Sequence, residues 1–470
     1  MHQSNIPVGH SLPQTIGRYR WTICALVFAA TTINYLDRNV LGLLKQTLSQ
    51  DGVFGPDKAA QELNYSTVVI CFQIAYALGM LLAGRIIDKV GTKQGYAYSL
   101  IGWSLAAIGH AFGHHTWSFG MWRAALGVTE AGNFPAANKT IAEWFPKKER
   151  AFATGLYNSG CNVGAILAPL VVPWIAINWG WEWAFVITGL VGLIWLIFWY
   201  ASYDTPAAKL ESGELSRREY DFIHSDLDEK ESERADTASE KVSWFRLLTF
   251  RQTWAFFFGK FLTDPIWWFF LFWLPAFLEG ENARKTKEYL AANPGFEGVA
   301  PGVISWTLAI AVVYTVATFG SIFGGWLPKK FINAGMDSNK ARKLAMFIFA
   351  LFPLSVLFAS YLGTINTWLA VAVIAIACAA HQAWSANIFT TVSDMFPKKA
   401  VASVTGIGGM AGAVGGILIA RAAGLLLAHF TQLGKVEVGY GILFVICGSA
   451  YLTAWILMHL LVPKFKKIEL

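Results

Sequence analysis

Twelve apolar runs, each close to the length of a bilayer crossing, limit what this chain can fold into more than any other feature. A spanning helix needs roughly 20 mostly apolar residues. The runs fall at about 20–44, 66–87, 94–114, 117–139, 151–176, 182–203, 252–278, 302–328, 343–362, 366–392, 401–428 and 439–463. Barrel strands would alternate polar and apolar residues, and these runs do not. The expected fold class is therefore an all-α membrane protein with twelve transmembrane helices. Charge content agrees: 14% of the 470 residues are charged, against about 25% in soluble domains. So little charge cannot solvate the surface of a large globule. Cys24, Cys71, Cys161, Cys378 and Cys447 all lie in apolar runs without paired or metal-ligand spacing. No disulfide scaffold, metal site or cofactor is expected. Residues 1–17 are polar, so no cleavable signal peptide is expected.

Orientation follows from Lys and Arg in the short loops. One side carries Arg18 and Arg20, then Arg85, Lys89 and Lys93, then Lys139, Lys147, Lys148 and Arg150. The same side later carries Lys329, Lys330, Lys340, Arg342, Lys343, Lys398, Lys399, Lys464, Lys466 and Lys467. The loops at 110–119 and 361–367 have no Lys or Arg. Both termini are expected to be cytoplasmic. The same bias accounts for the net charge of +7, so no nucleic-acid partner is needed.

An internal repeat organises the chain. AEWFPKKERAFATG at 142–155 and SDMFPKKAVASVTG at 393–406 match without a gap. The match carries on to Gly164 and Gly415, and each copy joins the fourth and fifth run of its half. Two parallel, duplicated six-helix bundles are expected, as in transporters that rock about a midplane site. The expected divisions are a tail at 1–17, a bundle at 18–203, a linker at 204–250, a second bundle at 251–464 and a tail at 465–470. The linker holds twelve acids and seven bases and reads as solvated, with at most a short amphipathic helix. Gly155, Gly160 and Gly164 on the fifth run, and Gly408, Gly412, Gly415 and Gly416 on the eleventh, are expected to let backbones approach closely.

Ionisable residues within spans are costly and are functional candidates by default. Asp37 and Arg38 lie in the first run; Arg123 and Glu130, seven residues apart on one helix face, lie in the fourth. A neutralised structural ion pair is the plain alternative; two charges of each sign favour a polar cavity. The repeat places His381 opposite Glu130. HQAWSAN, with His381, Gln382 and Ser385, concentrates polar groups on the tenth run. Lys260 and Asp264 are spaced to pair with each other. Trp267 and Trp268 suit either a sugar's C–H face or an interfacial aromatic belt. No nucleophile–base pair or H-E-x-x-H motif is present, so no enzyme is expected.

The loop GRIIDKVGTK at 84–93, between the second and third runs, fits the G-x-x-x-D-x-x-G-x-[KR] signature of the major facilitator superfamily. The resemblance implies that fold, with Gly84, Asp88, Gly91 and Lys93 in a cytoplasmic gating loop. The second-half counterpart, GGWLPKKFINAGMDSNKARK, lacks the Asp, so one strong latch is expected. NYLDR on the first run with R-x6-E on the fourth resembles the anion:cation symporter family. KFLTDPIWWFFLFWLP, HQAWSANIFTTVSDMFP and GIGGMAG are similar to bacterial hexuronate transporters.

From the resemblance, Asp37 and Glu130 are expected to carry protons, Arg38 to bind the substrate carboxylate, and Arg123 to partner these charges. Tyr76, Trp268, His381, Gln382 and Ser385 are expected at the substrate. Galactonate-type members carry Gln where this chain has Cys161, flanked by Asn158 and Asn162 as polar contacts. The implied function is proton-coupled uptake of an acidic sugar, a hexuronate first, by alternating access. Its partners are a small anionic sugar and the lipid bilayer. A monomer in the bacterial inner membrane, with the proton as coupling ion, is expected. Organic-anion antiport, symport of another sugar acid or carboxylate, and a non-transporting sensor are the alternatives.

Overall fold

Water is absent from a bilayer core, so each crossing segment must satisfy its backbone internally, and helices do so. The computed structural model describes residues 17–225, 243–296, 298–466 and 468; the side chains of Leu81, Asp88, Lys147, Lys148, Ala151, Trp244, Ser393, Lys398, Lys399 and Ala402 lie outside the description. Most of the expected first tail, the middle of the linker and the end of the last tail also lie outside it.

Twelve spans follow in order among the described residues. The first three are Tyr19–Leu43, Lys58–Val90 and Thr92–His110. The fourth is Thr116–Glu130 continued by Asn133–Trp144, and the fifth is Lys147–Asn158 continued by Gly160–Trp179. The sixth to eighth are Trp181–Ser202, Arg251–Ala292 and Trp306–Asn333. The ninth is Ser338–Ile365, with a 3-10 stretch at Phe352–Phe358. The last three are Thr367–Met395, Lys398–Gln432 and Val436–Leu461. Nine are long and apolar enough to cross a membrane by length and composition alone. The fourth falls short because a turn at Ala131 and Gly132 divides it into helices of 15 and 12 residues, and the first carries the buried charges Asp37 and Arg38. Asp57 caps the second span by accepting from the Ala60 N–H at 2.8 Å. Gly91, at φ +86°, ends it.

The seventh span departs from expectation. Its helix runs on through 279–292, where the sequence reads as a loop. Arg284 bridges Glu281 and Glu288 at 2.7 Å each, and Asn282 donates to the Ile304 carbonyl at 2.7 Å. These i,i+3 and i,i+4 pairs stabilise a helix past the apolar run. The linker forms short helices, as expected, at Pro206–Glu211 and Arg217–Ile223, but part of it is buried rather than solvated. Its turn Arg217–Ile223 buries Glu219, which accepts from the backbone N–H groups of Tyr19 and Arg20 at 3.2 and 3.1 Å. The carboxylate thereby caps the first span.

The repeat is visible in the backbone. Pro146 and Pro397 open the fifth and eleventh spans with φ, ψ of −67°, 156° and −66°, 154°. The preceding Phe N–H donates to Ile141 in one copy and to Val392 in the other, at 3.0 and 2.9 Å. Spans pack one with five, two with four and three with six in the first half; seven with eleven, eight with ten and nine with twelve pack alike in the second. Between halves, span two meets eleven and span five meets eight, an exchange the repeat itself predicts.

Tight seams depend on glycine. A Cβ on Gly164 would lie 2.4 Å from the Thr32 carbonyl oxygen, and one on Gly415 would lie 2.3 Å from that of Phe261. Packing is thus the role of Gly164 and Gly415, whereas a Cβ on Gly155 would meet nothing within 4 Å among the described residues, contrary to expectation. With an even number of spans, Tyr19 and Leu461 lie on one side, the terminal side. The seam between spans two and eleven is closed on the far side, where a Cβ on Gly424 would meet Ser66 Oγ at 2.2 Å. It stays closed inward to Gly416 beside Gln73. By Gly409, two turns nearer the terminal side, a Cβ would meet nothing within 4 Å among the described residues, and Met80 and Met410 are exposed. Along this seam the described residues of the two halves therefore meet on the far side and part towards the termini.

Candidate functional site

The buried charges gather where the first, second, fourth and seventh spans converge. Arg38 is 2% exposed and donates through Nε and Nη2 to one oxygen of Glu130, at 2.9 and 2.8 Å. Its guanidinium also lies 4.8–5.4 Å from the ring centroids of Tyr35, Phe72, Tyr76 and Trp268. Trp268 comes from the second half, so the cage spans both bundles. The interfacial-belt reading does not hold for this indole.

Arg123 is wholly buried, and its Nη2 donates to the Arg38 carbonyl at 2.8 Å. Among the described residues its Nε and Nη1 have no hydrogen-bond partner, and neither has either oxygen of Asp37 or Oε1 of Glu130. Asp37 is 2% exposed. The charge partners thus differ from those read in the sequence. Glu130 holds Arg38, whereas Arg123 holds a carbonyl and keeps donor capacity in reserve. The fourth span breaks directly after Glu130, where Ala131 and Gly132 form a turn.

The repeat gives this pair a counterpart. Gly164 faces Thr32 and Leu36, and Gly415 faces Phe261 and Pro265. Arg38 therefore matches Trp267, as Glu130 matches His381. Trp267 and His381 are stacked at 5.1 Å and 14°. One half has an ion pair; the other has an indole on an imidazole. His381 does not reach Glu130. Its Nδ1 lies 2.7 Å from the Tyr451 hydroxyl, within its own half. Lys260 and Asp264 pair with each other at 2.7 Å.

The remaining candidates divide. Gln382 reaches Asn162 across the halves at 3.5 Å. Cys161 donates to Asn158 at 3.8 Å beside the interruption at Ser159. Asn158 is exposed, and Ser385 is half-buried. A buried amide that the motifs did not flag, Gln73, stands at the roof of the opening and is 3% exposed. Its only signal in the sequence was a polar residue one helical turn before Tyr76.

In the loop expected to gate, Gly84 is half-buried and Gly91 takes the left-handed turn; the Asp88 side chain lies outside the description. Lys93 pairs with Asp204 at 2.9 Å. Glu143 accepts from Thr92 at 2.6 Å and from Tyr203. This ties the starts of span three to the ends of spans four and six. The second half has comparable contacts at the corresponding place. Arg342 pairs with Asp394, the repeat partner of Glu143, and Lys343 donates to the Val462 and Pro463 carbonyls. The acid comes from span ten rather than from the loop, so a motif search there misses it.

Comparisons with known proteins agree with this architecture. Residues 27–420 match the family model of the Major Facilitator Superfamily. The hexuronate transporter of Escherichia coli K12 is 29% identical over 87% of this chain and 87% of its own length. The galacturonate transporter of Dickeya chrysanthemi is 30% identical over 66% of this chain and 82% of its own length. Among solved structures, the D-xylose-proton symporter superposes with a TM-score of 0.71 at 15% identity, covering 96% of this chain and all of that one (100%). A match over most of the chain, together with the paired six-span halves, places this integral membrane protein in the Major Facilitator Superfamily, as a transporter and not an enzyme.

Proposed function

We propose that the chain is a proton-coupled symporter that takes up an acidic sugar, a hexuronate first, across a bacterial inner membrane with both termini in the cytoplasm. The observation that carries this reading is the hold of Glu130 on Arg38 inside an aromatic cage shared by both halves. A planar guanidinium is the natural fork for a carboxylate, and aromatic rings suit the C–H face of a sugar. An incoming carboxylate must compete with Glu130 for Arg38. A proton on Glu130 removes the competitor, so protons and anion favour each other's binding, and by linkage the coupling is reciprocal. Asp37, buried with neither oxygen in a hydrogen bond among the described residues, is costly to keep as an ion, which suits a group that takes a proton whenever the outer path opens. The opening towards the termini is then a cytoplasm-facing state, from which release lets Glu130 recapture Arg38. The relatives named for hexuronate and galacturonate support the substrate class.

The test is uptake of labelled glucuronate into proteoliposomes under an inward-acid gradient. Accumulation above the outside concentration that collapses with a protonophore is expected. Uptake that only equilibrates, or that needs an anion inside, would instead make the protein a facilitator or an anion exchanger.

A further inference from the structure

We infer that Gln73 is a specificity residue, the ligand of a neutral hydroxyl on the acid that Arg38 binds. This rests on the anion-transport reading and refines it. Gln73 is 3% exposed, and among the described residues neither its Oε1 nor its Nε2 has a hydrogen-bond partner. A buried amide left unmade on both atoms is destabilising, and packing alone would be served better by leucine or methionine. Its place explains its retention. A Cβ added at Gly416 on span eleven would lie 3.2 Å from Gln73 Nε2 and 3.3 Å from Cδ1 of Trp268. The amide and the indole therefore meet across a residue that has no side chain, and that same indole covers Arg38 at 5.4 Å. Phe72, next to Gln73 in the chain, and Tyr76, one turn on, cover the other faces of Arg38.

Gln73 also occupies the innermost closed layer of the seam between spans two and eleven, two turns inward of Ser66 and Gly424. Parting of that seam on the far side uncovers the amide beside the cage. An amide presents one acceptor and a pair of donors, which matches a hydroxyl that both gives and receives. Arginine reads the carboxylate; the amide distinguishes a polyhydroxy acid from a bare one. A site built to bond a substrate hydroxyl rejects the analogue that lacks it, because its own polar group is then left unpaired.

The experiment measures half-saturation for glucuronate and for tetrahydropyran-2-carboxylate, a ring acid without the hydroxyls, in proteoliposomes of wild type, Q73L and Q73M. Thermal stability is followed in parallel, and two apolar variants guard against one that fails to fold. The wild type is expected to favour glucuronate. Both variants are expected to raise half-saturation for glucuronate on the order of tenfold, to leave that of the bare acid unchanged, and to melt no lower than wild type. Variants that keep the wild-type preference, or that weaken both acids equally, overturn the role of Gln73 while the transport reading stands. A wild type that does not distinguish the two acids overturns the sugar-acid reading itself.

Discussion

Replacing Glu130 with Gln separates binding from coupling. Glu130 holds Arg38 through two charge-assisted hydrogen bonds at 2.8 and 2.9 Å, both to one oxygen, in a wholly buried position. Gln keeps an acceptor there and removes the charge. The bonds keep their charged donor and lose their charged acceptor, a loss on the order of the gap between charged and neutral hydrogen bonds, so the grip on Arg38 weakens by about 1–2 kcal/mol. An anion that must displace that grip should bind E130Q about 5- to 30-fold more tightly than wild type. The pH dependence should change as well. In wild type, rising pH restores the Glu130 carboxylate, which recaptures Arg38, and affinity for the anion falls. In E130Q that competitor is gone at every pH, and the profile flattens. Glucuronate dissociation constants measured on purified protein from mildly acidic to mildly alkaline pH give both quantities. Counterflow should persist in E130Q, and uphill uptake should be lost. Affinity no tighter than wild type with the same pH slope, or continued accumulation, would refute the competition for Arg38.

The cage, the seams and the polar contacts give further tests. Trp268→Leu removes one of the rings over Arg38; with a cation–π contact at about 0.5–2 kcal/mol, half-saturation should rise from about 2- to 30-fold, read by counterflow. In Gly164→Val the first added carbon already lies 2.4 Å from the Thr32 carbonyl; overpacking should cost at least about 1–3 kcal/mol, and an unchanged melting temperature in detergent would contradict the seam. Lys93, hydrogen-bonded to Asp204, holds that carboxyl below its ordinary range. The pair is therefore complete above the free-acid value and opens only as pH falls through the depressed one. Mild acidification should leave this pair closed, and D204N should shift stability by no more than about 1 kcal/mol because the pair is partly exposed. Glu143→Ala, which releases both Thr92 and Tyr203, should lower the melting temperature more than D204N does.

Much of this molecule was legible in its residues, for reasons that are local. Apolar length set the spans, and a gapless FPKK repeat set the parallel halves, because the same turn recurs with the same backbone angles at Pro146 and Pro397. Asp37, Arg38, Arg123 and Glu130 stood out as charges where charge is costly. Their pairing was not legible. Seven residues of spacing put Arg123 and Glu130 on one face, yet Arg38 reaches Glu130 from another span, a choice made by helix rotation. The extension of span seven was hidden because side-chain ion pairs, not hydropathy, carry the helix through 281–288. Asp394 had a readable signal, since the repeat sets it opposite Glu143. Gln73 had almost none: one amide in an apolar run gains meaning only once Gly416 and Trp268 are seen beside it.

Proton movement caused by substrate alone tests the central claim most directly. Lightly buffered proteoliposomes, with equal pH on both sides and a dye trapped inside, would receive glucuronate from outside in the absence of sodium. Symport predicts that the lumen acidifies as the sugar acid enters, that a protonophore abolishes the signal, and that E130Q gives none. Entry of labelled glucuronate without any change in luminal pH would contradict proton coupling and the part assigned to Glu130.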